Sequence, residues 1–168
     1  MEIQAADYRL WFLFRLLMLS LLVVIGFDFF LHAGILSPLY RDGGEFLLSP
    51  EEAFRRIPLG YLAFAVLNIM LAWLMVRMGI EGLKNGFAFG LLLGLFIWVA
   101  LALGLLSITA VPSKLLIGWT AGQSVELGLG GAVIGRGLER RKLRKLALWS
   151  LVIFLVLTAL GILLQNII

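Results

Sequence analysis

The sequence predicts an all-α fold, a polytopic membrane helix bundle with five transmembrane helices, and three observations support this prediction. Of the 168 residues, 62% are hydrophobic and only 14% are charged, whereas soluble domains are about half apolar. The mean hydropathy is +1.05. The apolar residues are concentrated in five runs, and within a run such as residues 151–157 they do not alternate with polar residues as barrel strands would.

The five runs themselves are the predicted spans. A helix needs about 20 predominantly apolar residues to cross the hydrocarbon core of a bilayer, and each run has roughly that length. Together they leave no room for a separate soluble domain, so residues 1–168 are predicted to form a single membrane domain. The predicted helices cover residues 10–36, 58–78, 86–108, 115–135 and 146–165.

One sizeable connection, residues 37–57, is predicted as an outer loop with a short helix of its own at 50–56. Ser49 precedes Pro50, and Ser49-x-x-Glu52 matches a capping box that starts a helix. This interfacial helix has two interpretations. It is either a mobile lid over an outward-facing pocket or a passive connector resting on the membrane surface.

The distribution of positive charge predicts the orientation. With five crossings, ten of the 14 lysines and arginines fall on one face and four on the other, which places the amino end in the cytoplasm and the carboxyl end outside. The ten are Arg9, Arg15, Arg77, Lys84, Arg136, Arg140, Arg141, Lys142, Arg144 and Lys145, and the four are Arg41, Arg55, Arg56 and Lys114.

Six of these cations lie in a predicted cytoplasmic loop at 136–145. They have two interpretations, contact with anionic lipid headgroups or a signal that only sets the orientation. Nucleic acid is not expected as a partner, because no nucleic-acid-binding module accompanies the charge. The residues predicted to contact lipid headgroups are Arg136, Arg140, Arg141, Lys142, Arg144 and Lys145.

Polar side chains inside the predicted spans form the candidate site. Such residues are costly in hydrocarbon and usually face the bundle interior. Glu126 is predicted to face helices one and two and to find partners among Asn68, Gln123, Trp98 and His32. The alternative is a hydrogen-bonded network that only fixes packing. The predicted ligand or proton site is Asp28, His32, Asn68, Gln123 and Glu126, with Trp98, Trp119 and Thr120 as possible lining residues.

No cofactor or metal is expected. The chain has no cysteine and a single histidine, which removes thiolate ligation and a bis-histidine haem site. Asp28, His32 and Glu126 contain suitable donor groups for a divalent cation, but their spacing does not require one. A hydrogen-bonding or proton-transferring His32 beside Asp28 is therefore preferred.

Glycines at four-residue spacing predict close helix packing. Gly86, Gly90 and Gly94 open the third predicted helix, and the fourth contains the pairs 118/122 and 131/135. Small residues at this GxxxG spacing let two membrane helices approach closely. Helices three and four are therefore expected to form an antiparallel hairpin packed through these glycines.

Asp28, the segment Pro38-Leu39-Tyr40 and the pattern Trp119-x-x-Gly122-x-x-x-Glu126 resemble small four-helix bacterial membrane families of uncharacterised function. The resemblance covers residues 10–135 and implies a bundle in the bacterial cytoplasmic membrane, to which this chain adds a fifth helix. It supplies no mechanism.

Two functions remain open from the sequence. One is proton or solute handling, including transport, at the polar intramembrane site. The other is a non-catalytic structural subunit or scaffold of a larger membrane complex, or a homo-oligomer. An enzyme is less favoured, because no nucleophile, base or phosphate-binding motif is evident. The lipid bilayer is an expected partner in either case.

Overall fold

The structure, a computed structural model, describes residues 10–41 and 47–167 and is all-α. Arg9 and residues 42–46 of the predicted outer loop lie outside the described residues. The helices are α1 (Leu10–Phe29), which continues into a π-helical segment (Phe30–Ile35), α2 (Ser37–Arg41), α3 (Pro50–Met78), α4 (Leu83–Ile108), α5 (Ser113–Arg140) and α6 (Leu143–Ile167).

Four stretches are long and apolar enough to cross a membrane: Leu10–Ile35, Glu51–Met78, Leu83–Ile108 and Leu143–Ile167. The helical bundle of the prediction is therefore present, but α5 does not qualify as a fifth span by length and composition. The reason is its residue content. Glycines together with Gln123, Ser124 and Glu126 replace the leucines and valines that fill the other long helices.

The separate interfacial helix predicted at 50–56 is wrong, because those residues form the first turns of the continuous helix α3. The predicted cap is present, since the Ser49 hydroxyl accepts a hydrogen bond from the Glu52 amide at 3.3 Å. Pro58 lies inside the helix. A proline removes one amide donor, but membrane helices tolerate this loss, and the helix begun at Pro50 runs on to Met78.

The predicted cytoplasmic loop at 136–145 is also much shorter than expected. Helix α5 continues to Arg140, and only Arg141 and Lys142 separate it from α6. Arg141 adopts a left-handed conformation with φ of 53°, which ends α5 and reverses the chain direction. Charged residues at a helix end need no loop, because their side chains reach water from the last turn.

Helix α5 is the centre of the bundle and packs against α1, α3, α4 and α6. Sixteen of its residues are buried, whereas in α6 only Ser150 and Gly161 are buried. Much of the apolar surface of α4 and α6 therefore faces outward, as expected for helices that contact lipid.

The closest contact in the bundle joins α4 to α5. A Cβ atom built on Gly86 would lie 2.1 Å from the Gly131 carbonyl oxygen, and one on Gly90 would lie 2.3 Å from the Leu127 carbonyl oxygen. Any side chain at these positions would push the two backbones apart. The α3–α4 connection is tied to the same seam, because the Gly82 amide donates to the Gly135 carbonyl at 2.8 Å.

Helices α1 and α6 pack side by side and run in the same direction. Gly26 faces Phe154, and Gly34 faces Leu164 further along both helices. Both helices therefore start at the same end of the bundle, together with the α3–α4 and α5–α6 connections. We call this the basic end, because it contains Arg15, Arg77, Lys84, Arg136, Arg140, Arg141, Lys142, Arg144 and Lys145. The opposite end, which carries α2, is the α2 end.

Candidate functional site

Five side chains at the α2 end form a hydrogen-bonded group that we call the relay cluster: Asp28, His32, Tyr40, Trp119 and Gln123. His32 is at its centre. Its Nε2 atom lies 3.3 Å from an Asp28 carboxylate oxygen and 2.8 Å from the Gln123 amide nitrogen. Its Nδ1 atom bonds to the Tyr40 hydroxyl. The Trp119 indole donates to the same hydroxyl at 2.6 Å.

Local structure brings these residues together. Asp28 is on the last turns of α1, and His32 follows four residues later in the π-helical segment, so the two share a face. Such widened turns are frequently found at functional sites. Helix α2 then begins at Ser37 and returns the chain toward α5. As a result, the Tyr40 ring lies beside the Trp119 ring of α5, with centroids 6.4 Å apart.

The chemistry of the donors allows two proton arrangements around His32. The Trp119 indole can only donate, so the Tyr40 oxygen accepts from it. In one arrangement Tyr40 donates to Nδ1, and the proton on Nε2 is donated to Asp28. In the other, the Gln123 amide donates to Nε2, and the proton on Nδ1 is donated to Tyr40. A change of His32 tautomer therefore switches its partner at Nε2. It also requires the Gln123 amide group to turn over, because its NH2 group cannot face a protonated Nε2 at 2.8 Å.

Tyr40 stays protonated throughout the physiological range. Burial raises its pKa to about 12, and the Asp28 charge adds to that effect, whereas the hydrogen bond from Trp119 opposes it. Its hydroxyl can therefore act as both donor and acceptor to His32. Tyr40 lies in α2, outside the long apolar helices.

The relay cluster reaches the surface of the bundle. The side chain of His32 is 27% exposed and that of Asp28 is 15% exposed, whereas Gln123 beneath them is buried at 3%. The cluster thus leads from the surface at the α2 end to the buried face of α5.

Glu126 is the next polar residue inward on that face of α5, and it is fully buried at 0% exposure. Neither of its carboxylate oxygens has a hydrogen-bond partner among the described residues. Asn68, Gln123, Trp98 and His32, the expected partners, do not bond to it. Asp28 is close enough to interact with it electrostatically. A buried carboxyl group without partners is costly.

Asn68 belongs to a second group, the neutral cluster, formed by Ser20, Asn68 and the backbone of Gly130. The Ser20 hydroxyl lies 2.7 Å from Asn68 Oδ1 and 3.1 Å from the Gly130 carbonyl oxygen, so it can donate to either. The Asn68 amide donates to the Phe64 carbonyl at 3.4 Å. This cluster joins α1, α3 and α5 without any ionisable group.

The remaining predicted lining residues lie between α5 and α4. The Thr120 hydroxyl donates to the Trp98 carbonyl at 3.5 Å, while the Trp98 indole nitrogen is buried without a partner in the described part of the chain. Trp119 is the only one of the three that joins the relay cluster.

Sequence reasoning missed Ser20 and did not place Tyr40 in the site. A serine in an apolar helix carries no charge penalty that would mark it. For Tyr40 a signal existed, since Pro38 follows the first apolar run closely and the chain must turn near its end.

The basic residues predicted to contact lipid divide into three sets. Glu139 forms ion pairs with Arg136 at 2.5 Å and with Arg140 at 3.9 Å. Arg141 and Arg144 instead line a groove with Arg15. Lys142 and Lys145 are exposed.

No three His, Asp or Glu side chains come together as a metal site within residues 10–41 and 47–167. Comparison of the chain with protein-family models, curated proteins and solved structures finds no match.

Proposed function

We propose that this protein is an integral membrane protein that moves protons, alone or coupled to a solute, through the relay cluster and Glu126. The observation that carries the proposal is the position of His32, which lies between two alternative partners of its Nε2 atom. In this account Asp28 exchanges protons with water at the α2 end and shares them with His32 through Nε2. A water molecule that enters the site then carries them past Gln123 to Glu126, because neither Gln123 nor His32 bonds to that carboxyl group.

Two features of Glu126 support a functional role over a packing role. First, a hydroxyl or amide would serve packing with a smaller desolvation cost than a carboxyl group. Second, Glu126 makes no hydrogen bond within the described residues that would repay its burial. The neutral cluster is the contrasting case, because each of its side chains has a partner.

The proposal includes α5 as a fifth membrane crossing. A helix surrounded by other helices does not need a lipid-compatible surface, so its glycines and polar residues do not prevent it from crossing. We further propose that its GxxxG spacing is the device that packs it against α4. The basic end is then cytoplasmic and the α2 end external, in a bacterial cytoplasmic membrane, by the positive-inside rule.

This topology can be tested by labelling, because the chain contains no cysteine. Ser113→Cys at the start of α5 and Lys142→Cys after its end are expected to react with a membrane-impermeant maleimide from opposite sides of sealed vesicles. Reaction of both from the same side would remove α5 as a crossing.

Proton movement is tested in proteoliposomes that contain a pH-sensitive dye. We expect Glu126→Gln and Asp28→Asn each to reduce proton flux by about tenfold or more, the scale of a lost acid–base group. The matched control is Glu51→Gln, the same carboxyl-to-amide change in an exposed ion pair with Arg55. Wild-type flux in both site variants, or no flux above empty liposomes in the wild type, would contradict the proposal.

A second function, a subunit of a membrane complex, is favoured by the outer face of α3. Leu59, Leu62, Val66, Ile69 and Trp73 follow three- and four-residue spacing and are each more than half exposed. Such a stripe can pack against another helix. It predicts a stoichiometric partner or second copy after purification in mild detergent, and replacement of Leu62 and Val66 by alanine should release it. A monomer that transports protons would exclude this alternative.

A further inference from the structure

A groove at the basic end lies between the first turns of α1 and α6. Its upper part is lined by Trp11, Phe12, Arg15, Arg141, Leu143 and Arg144. Its lower part is lined by Phe14, Arg15, Met18, Leu19, Leu143, Arg144 and Ala147. Arg15, Leu143 and Arg144 are common to both, so the two parts form one continuous surface.

The parallel packing of α1 and α6 explains why two arginines meet there. Gly26 faces Phe154, a difference of 128 residue numbers. The same register places Arg15 opposite residue 143, next to Arg144. Two cations from different helices are thus held at one level of the bundle.

Both arginines are available to an anion. Arg15 and Arg144 are exposed, and in the part of the chain that the structure describes no carboxylate forms an ion pair with either. The Arg15 guanidinium lies over the Trp11 ring at 4.9 Å, a stacking contact that fixes its position and leaves its edge free to donate. Guanidinium groups bind phosphate through pairs of parallel hydrogen bonds.

Below the arginines the groove is apolar. Phe14 and Met18 are one turn apart on α1 and are 48% and 44% exposed, and Ala147 forms the opposite wall on α6. A free phosphate ion needs no apolar trough, whereas a phospholipid has a phosphate and acyl chains in this order from the membrane surface inward. The arrangement of charge above and apolar surface below therefore matches a lipid.

We propose that this groove binds one anionic phospholipid, with its phosphate on Arg15 and Arg144 and an acyl chain along Phe14, Met18 and Ala147. This specific lipid site differs from an unspecific electrostatic attraction of anionic lipids to the basic residues near the α5–α6 connection. It depends on Arg15, which is distant in sequence from that segment, and it does not involve the ion-paired Arg136 and Arg140.

Native mass spectrometry tests the proposal with purified protein and an equal mixture of phosphatidylglycerol and phosphatidylcholine that carry the same acyl chains. We expect the wild type to retain one phosphatidylglycerol, and the double variant Arg15→Gln, Arg144→Gln to retain about thirtyfold less, since each of the two cations contributes about 1 kcal/mol. The control, Arg55→Gln with Arg56→Gln at the α2 end, should match the wild type.

A second variant tests the apolar part of the site. Ala147→Trp fills the trough without changing charge, and it is expected to lower phosphatidylglycerol retention while the thermal unfolding midpoint stays near that of the wild type. Equal loss in the Arg55/Arg56 control, full retention in the Arg15/Arg144 variant, full retention in Ala147→Trp, or displacement of the lipid by inorganic phosphate would each overturn the proposal. None of these results depends on proton flux.

Discussion

The two faces of α5 differ in what they contribute to the protein. The face toward α4 consists of Ser124, Leu127, Gly128, Gly131 and Gly135, and there backbone touches backbone. The opposite face, toward α1 and the π-helical segment, presents Trp119, Gln123 and Glu126 with the Gly130 carbonyl. One face lets α4 approach because most of its residues are small, and the other carries the α5 side chains of the relay cluster and Glu126.

The difference indicates how a helix of modest hydropathy is kept at the centre of an apolar bundle. The glycine face allows α4 to approach so closely that it shields the α5 backbone, and the remaining helices cover the polar face. Changes on the α4 face should therefore act on stability, whereas changes near Gln123 and Glu126 should act on proton chemistry.

The largest effect is expected on the glycine face. Gly90→Leu would place Cβ 2.3 Å from the Leu127 carbonyl oxygen, and it should lower the free energy of unfolding by about 3 kcal/mol or more, because backbone cannot move aside as a side chain can. Circular dichroism in detergent during heating measures this. Gly104→Leu, in the same helix with open space around its Cβ, should unfold like the wild type. Similar losses in both variants would remove the distinction.

The neutral cluster should show the next largest effect, again on stability alone. Asn68→Leu removes the nearer of the two acceptors of the Ser20 hydroxyl and should cost about 1 to 2 kcal/mol, as buried hydrogen bonds between membrane helices do. Asn166→Leu is the matched control, because its exposed amide makes the same bond to a carbonyl four residues back. The pH dependence of proton flux should persist in Asn68→Leu, and its disappearance would join the neutral cluster to the relay.

Glu126→Gln should have a small effect on stability, within about 1 kcal/mol, because no hydrogen bond of the carboxyl group is lost and the amide has a similar size. The heating experiment used for the glycine variants measures it. A loss as large as that of Gly90→Leu would mean that Glu126 is a packing residue.

The smallest effect, a change in the pH dependence of stability at high pH, is expected from Tyr40→Phe. An unfolded tyrosine ionises near pH 10, whereas Tyr40 has a pKa of about 12. Its contribution to stability is therefore complete below pH 10 and is lost as the pH rises toward 12. Absorbance titration should show one phenol fewer ionising near pH 12 in the variant. An unchanged titration at that pH would contradict the burial of Tyr40.

The sequence was sufficient to predict the bundle, the direction of the charge asymmetry and the polar residues of α5, because each rests on composition or on single costly residues. The sequence could not predict which polar side chains form hydrogen bonds with each other. Asp28 and His32 are four residues apart, so their contact followed from helix geometry, but the link to Tyr40 depends on how the chain turns after Leu36.

Asn68 is a second residue whose hydrogen-bond partner could not be predicted from the sequence. Asn68 was expected beside Glu126, but the sequence does not specify the rotation of a helix about its axis. In the structure α3 is turned so that Asn68 meets Ser20. The continuity of α3 through Pro58 was also missed, because the predicted span began at that proline. The Ser49 cap starts the helix upstream of Pro58, so this proline does not mark a helix boundary.

The most direct test of the difference between the two faces uses neighbouring cysteines in this cysteine-free chain. Gln123→Cys lies beneath the partly exposed His32, and Ser124→Cys lies against α4. In sealed vesicles, a small charged methanethiosulfonate reagent added at the α2 end should modify the cysteine at 123 and leave the one at 124 unmodified, while both react after denaturation. Equal protection of both would contradict an aqueous path to the polar face, and so would equal reactivity.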